Sequence, residues 1–495
     1  MSDKAEKITL AQWDDRYRAL CCGGLHESAD GGPLRRHVDE GGDRRLLHLR
    51  MDNSAAALRL WNLLLSEESR LRRAREQGVL LVGTMKDLGT VPVMAYALDN
   101  VIAFYPDGAW WTPCLMEHNE GLLALADRLG VDDSFCPVRA MLAAMVNGEH
   151  FPIPDTLVCS VGAVCDDMAA IGQRIEELGF PVFWWEIPHR RASEPGEPSV
   201  ELPGGLVVAQ SQVDFVRDEL DRVRRHLETA SGQKLDEARL AEGIRRANEV
   251  RRRIARLRRF AYLGDPCPLP ALEMMIAEIL AIHFCSDWAA TVAVLDDLLI
   301  EVRRRLIAGD GVCPAGAARI FWVNPPADLR AMNLLEEAGA RVCGTDYMIA
   351  HAIDEINPSP KGYNSVAQGN ALGTEPEQHA TPCKGKTKGA GEPPPSLYLL
   401  AQMALADPMV GPTTERAERI CREAAQNGAE AVVVSRIPGA SHCATEALVI
   451  GRLVHEQLGI PVLDLEIPPL LDPMEPTIRT RLEALVETVI NRRQP

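Results

Sequence analysis

From Gly78 onward, short apolar runs alternate with segments whose apolar residues recur every three or four positions, the pattern of parallel α/β units. The clearest unit spans Asp155 to Pro188. Thr156 to Val161 reads as a strand, Met168, Ile171, Ile175 and Leu178 mark one face of a helix, Gly179 and Pro181 stop it, and Val182 to Ile187 is the next strand. A second unit repeats the plan: a strand over Ala431 to Ser435, a helix running from a Ser441 cap to Leu458, then Gly459 and a strand over Pro461 to Ile467. The endings LGFPVFWWEIP (178–188) and LGIPVLDLEIP (458–468) differ at few positions, which reads as an internal duplication. A further unit comprises Ala318 to Val323, the Asn324-Pro325-Pro326 turn, a helix over Leu329 to Ala338, and a strand over Ala340 to Gly344.

Between the halves, Val213 to Ala308 is helical, with Leu240, Ile244, Ala247, Val250, Ile254 and Leu257 on one face. Its other face carries Arg245, Arg246, Arg251, Arg252, Arg253 and Arg256, read first as a solvated face and second as a CoA-phosphate or partner surface. Before Glu76 the chain also reads as helical, through Leu58, Leu60, Leu64, Leu65 and the basic SRLRRAR stretch. The fold class is therefore α/β, two doubly wound domains of similar plan. The expected layout is a helical N-terminal arm over 1–76, a first α/β domain over 77–210, a helical segment over 211–312, and a second α/β domain over 313–495. The last contains an aperiodic, Pro-, Gly- and Lys-rich loop, 356–396, long enough to serve as a lid.

Composition narrows the function classes. At 495 residues the chain exceeds one core, and 46% apolar with 25% charged residues is ordinary globular content. A formal net charge of -17 argues against nucleic-acid binding. The longest apolar candidate for a membrane span, Met274 to Cys285, is short and contains Glu278 and His283. The charged N-terminus has no apolar centre of a secretory signal, so the cytoplasm is the expected compartment and the 13 cysteines are expected to be thiols.

The segment ATPCKGKT (380–387) satisfies a loose phosphate-loop pattern, but neither a strand precedes it nor a helix follows, so it reads as a chance match. No Gly-x-Gly-x-x-Gly or Gly-x-Ser-x-Gly motif occurs, and no Cys-x-x-Cys pair. Cys165 and Cys443 each follow a strand and open a helix, a placement at the carboxyl edge of a doubly wound sheet where ligands bind and where a thiol's pKa is lowered. Cys136, beside Pro137, is a third candidate ligand. For any one of them the plain alternative is a buried small residue, and the repeated placement brings metal binding level with it. Cys159 and Cys343 fall inside strands and read as core, and the remaining eight cysteines show no ligand logic. His442 is a candidate proton donor, more simply a capping or packing residue, and Asn324 a candidate for lining the same cleft.

The pieces SFCPVRAML, PDTLVCSVGAVCDDM, GFPVFWWEIP, NPPADLRAMNLLEEAGARV and SRIPGASHCATEALVIGRLVHEQLGIPVLDLEIP, in that order, resemble the subunits of 2-hydroxyacyl-CoA dehydratases and ATP-dependent benzoyl-CoA reductases, from Gly78 to the C-terminus. The resemblance implies two α/β domains and an iron–sulfur cluster, usually 4Fe-4S, held by three dispersed cysteines that match Cys136, Cys165 and Cys443. It also implies an acyl-CoA substrate, a homologous second cluster-bearing subunit, and a separate ATPase activator with its own iron–sulfur cluster. The helical insert, its SGQKLDEARL stretch and the Asn-Pro-Pro turn are more similar to the larger non-ATPase subunit of benzoyl-CoA reductase. Met94 stands where the family often has a glutamate. The expected function is thus a cluster-bearing catalytic subunit of an aromatic acyl-CoA reductase, with a 2-hydroxyacyl-CoA dehydratase subunit or a non-catalytic partner subunit as alternatives. A larger cluster, such as a double cubane recruiting further cysteines, also stays open.

Overall fold

The computed structural model describes residues 4–26, 31–40, 44–85, 89–106, 118–283, 286–347, 354–356, 396–441 and 443–493. In chain order the strands are β1 (Lys7–Thr9), β2 (Arg50–Asp52), β3 (Leu80–Met85), β4 (Val101–Phe104), β5 (Thr156–Gly162), β6 (Val182–Ile187), β7 (Ser199–Glu201), β8 (Val207–Ala209), β9 (Ala318–Val323), β10 (Ala340–Asp346), β11 (Ala431–Arg436) and β12 (Val462–Glu466). Two four-stranded sheets result, β4-β3-β5-β6 and β10-β9-β11-β12. Every pairing within them is parallel. Both have the same order, second strand, first, third, fourth, so the two halves share one winding. These strands read as unbroken apolar runs because helices cover both faces; Ala431 to Ser435 are all buried.

In each sheet the direction of winding reverses between the first and third strands. The carboxyl ends of β3 and β5, and of β9 and β11, are therefore the switch points where a doubly wound sheet leaves a crevice. Met94 lies beside the first, fully buried in the short helix Val91–Ala95. After the second comes Asn324, whose left-handed φ of 61° an asparagine tolerates better than most residues.

Helices Gln210–Ser231, Glu237–Leu263, Ala271–His283 and Trp288–Ala308 form the insert. All six apolar positions expected on Glu237–Leu263 are buried. The opposite face is not a free basic surface. Arg251 is buried and donates to the carbonyls of Gly89 and Asp354, while Arg245 pairs with Glu242 and Glu249, Arg252 with Glu355 and Arg253 with Asp296.

The N-terminal segment departs from an all-helical arm, because β1 and β2 pair as an antiparallel ribbon between its helices. It straps the molecule rather than standing apart. Asp52 accepts from Arg305 of the insert, and Asn333, on the helix after β9, exchanges hydrogen bonds with the backbone of Arg50 at 2.9 and 3.0 Å. Of the loop 356–396 only its two ends fall within the described residues, and the 380–387 motif lies outside them. Among the described residues no helix is long and apolar enough to cross a membrane.

Candidate functional site

Three cysteine-bearing loops meet where the two α/β domains face each other. Cys165 ends the connection out of β5 and is the N-cap residue of helix Asp166–Glu177, so the helix dipole bears on its sulfur. Cys136 and Cys443 both sit in turns that lead into helices, Arg139–Asn147 and Glu446–Leu458. The expected cap at Ser441 is not formed. The helix begins at Glu446 behind Thr445, and Ser441 instead turns to the other domain, where its backbone N–H and hydroxyl donate to Asp167 Oδ2 at 2.8 and 3.0 Å. A serine ahead of a helical pattern looks the same on paper whether it caps or reaches away.

A second tie lies beside the first. Gly439, at φ 75°, packs so closely on the Phe135–Cys136 peptide that a Cβ there would stand 2.6 Å from the Phe135 carbonyl. Cys136, Cys165 and Cys443 are 5%, 3% and 0% exposed, which removes them from bulk water. Burial pushes the Cys136 thiol well up, and the charges of Cys165, Asp167 and Cys443 add to that, so both other sulfurs lie within electrostatic reach of Cys136. Burial also raises the Cys443 thiol. Against it work the Ile437 N–H, which donates to Cys443 Sγ at 3.4 Å, and the nearby Arg416 guanidinium.

Arg416 is a residue that pattern reading missed. It is buried and donates to Asn324 Oδ1 at 2.7 Å, Asp346 Oδ1 at 3.1 Å and Glu446 Oε2 at 2.7 Å, joining the ends of β9 and β10 to the helix behind Cys443. Burial alone would raise the Asp346 carboxyl, but Arg419 and Arg416 hold it below the usual carboxylate range. Asn324 spends its amide nitrogen on the Ser435 carbonyl at 3.1 Å and its oxygen on Arg416. With no exposed surface, it is a joint of the switch point rather than part of a cleft wall. His442 lies outside the described residues. Beside this network a cavity of ≈ 100 Å³ opens, lined by Arg190, Leu206, Met403, Arg416, Arg419 and Glu423 among others.

Cys159 and Cys343 are buried in β5 and β10 as expected of core residues. Among the described residues no three Cys, His, Asp or Glu side chains crowd closely enough to hold a single metal ion. A cluster of several irons takes its ligands at separate corners, farther apart than those of one ion. Three soft, buried sulfur donors on separate loops suit that demand.

No curated protein matches the chain. The family described as 2-hydroxyglutaryl-CoA dehydratase, D-component, matches over residues 92–371, more than half of the length, and the match spans Met94, Cys136, Cys165 and Asn324. This agrees with the resemblance read from the chain, and the unit that holds Cys443 lies beyond the matched residues. By its fold and by this match, the chain belongs to the 2-hydroxyglutaryl-CoA dehydratase D-component family, as a 2-hydroxyacyl-CoA dehydratase-type subunit.

Proposed function

We propose that this chain is the cluster-bearing catalytic subunit of an ATP-dependent, radical-type acyl-CoA enzyme, with Cys136, Cys165 and Cys443 holding an iron–sulfur cluster of the 4Fe-4S type. The observation that carries the reading is the gathering of these three buried thiols from both domains, fastened by Asp167–Ser441 and Gly439. A bound cluster of this type supplies single electrons at low potential. The protein's own part is to exclude water from the thiols and to offset part of what burial costs the Cys443 thiolate. The Ile437 N–H on Cys443 Sγ and the Arg416 charge supply that offset.

Alanine at Cys165 or Cys443 should abolish iron binding in protein purified without oxygen, whereas Cys421→Ala, in the helix Thr413–Gln426, should leave it intact. Full iron in the first two variants would overturn the assignment.

Two reactions fit such a subunit. The family match favours dehydration of a 2-hydroxyacyl-CoA. The fully buried, apolar Met94 at the first switch point favours reduction of an aromatic acyl-CoA, since it offers no carboxylate to a hydroxyl-bearing substrate. A panel of both thioesters, given to the enzyme reconstituted with its ATPase activator and homologous second subunit, decides between them by which one is turned over.

A further inference from the structure

We propose that Cys267 and Cys313 form a redox-modification site, a dithiol that small disulfides of the glutathione class convert into an intrachain disulfide. The two residues face each other in an isolated antiparallel bridge. Directly opposed residues in such a pairing have Cα atoms about 4.5–5.5 Å apart, inside the roughly 4.4–6.8 Å that a disulfide spans. The two sulfurs also interact, Cys313 holding the Cys267 pKa down while its own is raised, and the Cys267 thiol donates to the Leu269 carbonyl at 3.2 Å. Both are free thiols, each 3% exposed, and with Ala317 and Val312 they form a small apolar cluster apart from the main core.

The surroundings favour reactivity at Cys267. The contact from Cys313 and the charge of Arg341 pull its pKa down against burial, and the Arg341 Nε is buried without a partner. Near Cys313 the Glu336 carboxylate raises the thiol pKa and its partner Lys7 works against that, so Cys267 is the thiol suited to begin exchange. Exchange chemistry begins at the thiol whose pKa is lowered.

The reaction balances without a cofactor. The Cys267 thiolate attacks one sulfur of the small disulfide, forming a mixed disulfide and expelling a thiolate. The Cys313 sulfur gives up its proton to that thiolate and attacks Cys267 Sγ, releasing the second small group as a thiolate, which takes up the proton that Cys267 shed on ionising. Two protein thiols are oxidised by two electrons, and one small disulfide is reduced to two thiols.

The bond would staple the turn leading into Ala271–His283 to the segment that feeds β9. That corner is at the amino end of the second sheet. Cys136, Cys165 and Cys443 lie at the carboxyl edge, so the staple modifies the join between insert and second domain without entering the thiol site.

The test is an anaerobic titration of the intact protein in glutathione buffers from reducing to oxidising, read by differential alkylation and peptide mass. Cys267 and Cys313 should lose alkylation together, with their peptides joined and lighter by two hydrogens, while Cys267→Ser leaves Cys313 unjoined. Exposed Cys21 and Cys22 report that the oxidant is active. Thiols at 267 and 313 that stay fully alkylatable in buffers that modify Cys21 and Cys22, or a bond from either to a different cysteine, would overturn the proposal.

Discussion

Replacing Gly439 by alanine probes the contact that brings Cys136 against the Cys443 loop. At φ 75° an L side chain is strained, at a cost of roughly 1–2 kcal/mol. The new Cβ would also lie 2.6 Å from the Phe135 carbonyl and 3.1 Å from Cys136 N. Both neighbours are backbone, so neither yields as a flexible side chain would, and overpacking of this kind adds typically 1–3 kcal/mol. Gly459 supplies the matched control. It closes the helix Glu446–Leu458 at φ 64°, and a Cβ there meets nothing within 4 Å. Gly459→Ala should therefore show the conformational cost alone, and Gly439→Ala a further loss of about 1–3 kcal/mol in denaturant unfolding. The decisive readout is local: with the loops pushed apart, alkylation of Cys136 and Cys443 in iron-free protein should quicken in Gly439→Ala and stay at the wild-type rate in Gly459→Ala. Equal stabilities together with unchanged thiol rates would refute the argument that backbone contact at Gly439 seats the two loops.

Three further outcomes are expected. Asp167→Ala leaves the N–H and hydroxyl of Ser441 without their acceptor and should lower iron retention, while Asp167→Asn, which keeps one acceptor oxygen, should retain more; equal iron in both would remove the role of this tie. Glu273 is buried with Oε2 unpartnered, and burial, reinforced by the Asp52 charge, pushes its carboxyl from 4.5 up to about 8. Between those values the unfolded chain sheds a proton that the folded chain keeps, so this group lowers stability as pH rises, by up to ~1.4 kcal/mol per pH unit, and Glu273→Gln should flatten that slope; an unchanged slope in urea melts from pH 5 to 8 would exclude it. Lys386→Ala should leave ATP-coupled activity of the reconstituted system unchanged, since ATP hydrolysis is assigned to the separate activator, and ATP binding lost in that variant would reverse the reading of the 380–387 segment.

The sheets were legible because parallel strands write themselves as apolar blocks: Thr156–Val161, Val182–Ile187 and Ala431–Ser435 all fall in observed strands, and the heptad-like face from Leu240 to Leu257 is buried as its spacing demanded. Periodicity does not report on short ribbons, and β1 and β2, three residues each, left no trace of it. Nor does it report on charge that folds inward. Arg251 stands in a run that looks solvated, yet its guanidinium is buried among carbonyls. The candidate site shows the same division. Cys165 and Cys443 stood out by their position after strands and before helices, and Cys136 by its turn beside Pro137, whereas the bonds between Asp167 and Ser441 join residues 274 positions apart, a relation that no local pattern carries. The pairing of Cys267 with Cys313 was hidden for the same reason.

The order in which the chain is made gives the thiol arrangement a temporal meaning. Cys136 and Cys165 emerge with the first domain, which can fold while synthesis continues, but Cys443 arrives only after the insert and three strands of the second sheet. A nascent or prematurely ended chain therefore displays two of the three sulfurs, and neither Ser441 nor Gly439 is present to close over them. With a cluster held as proposed, the division of the three thiols between the halves would act as a proofreading step: only a finished chain with both domains docked offers the complete set.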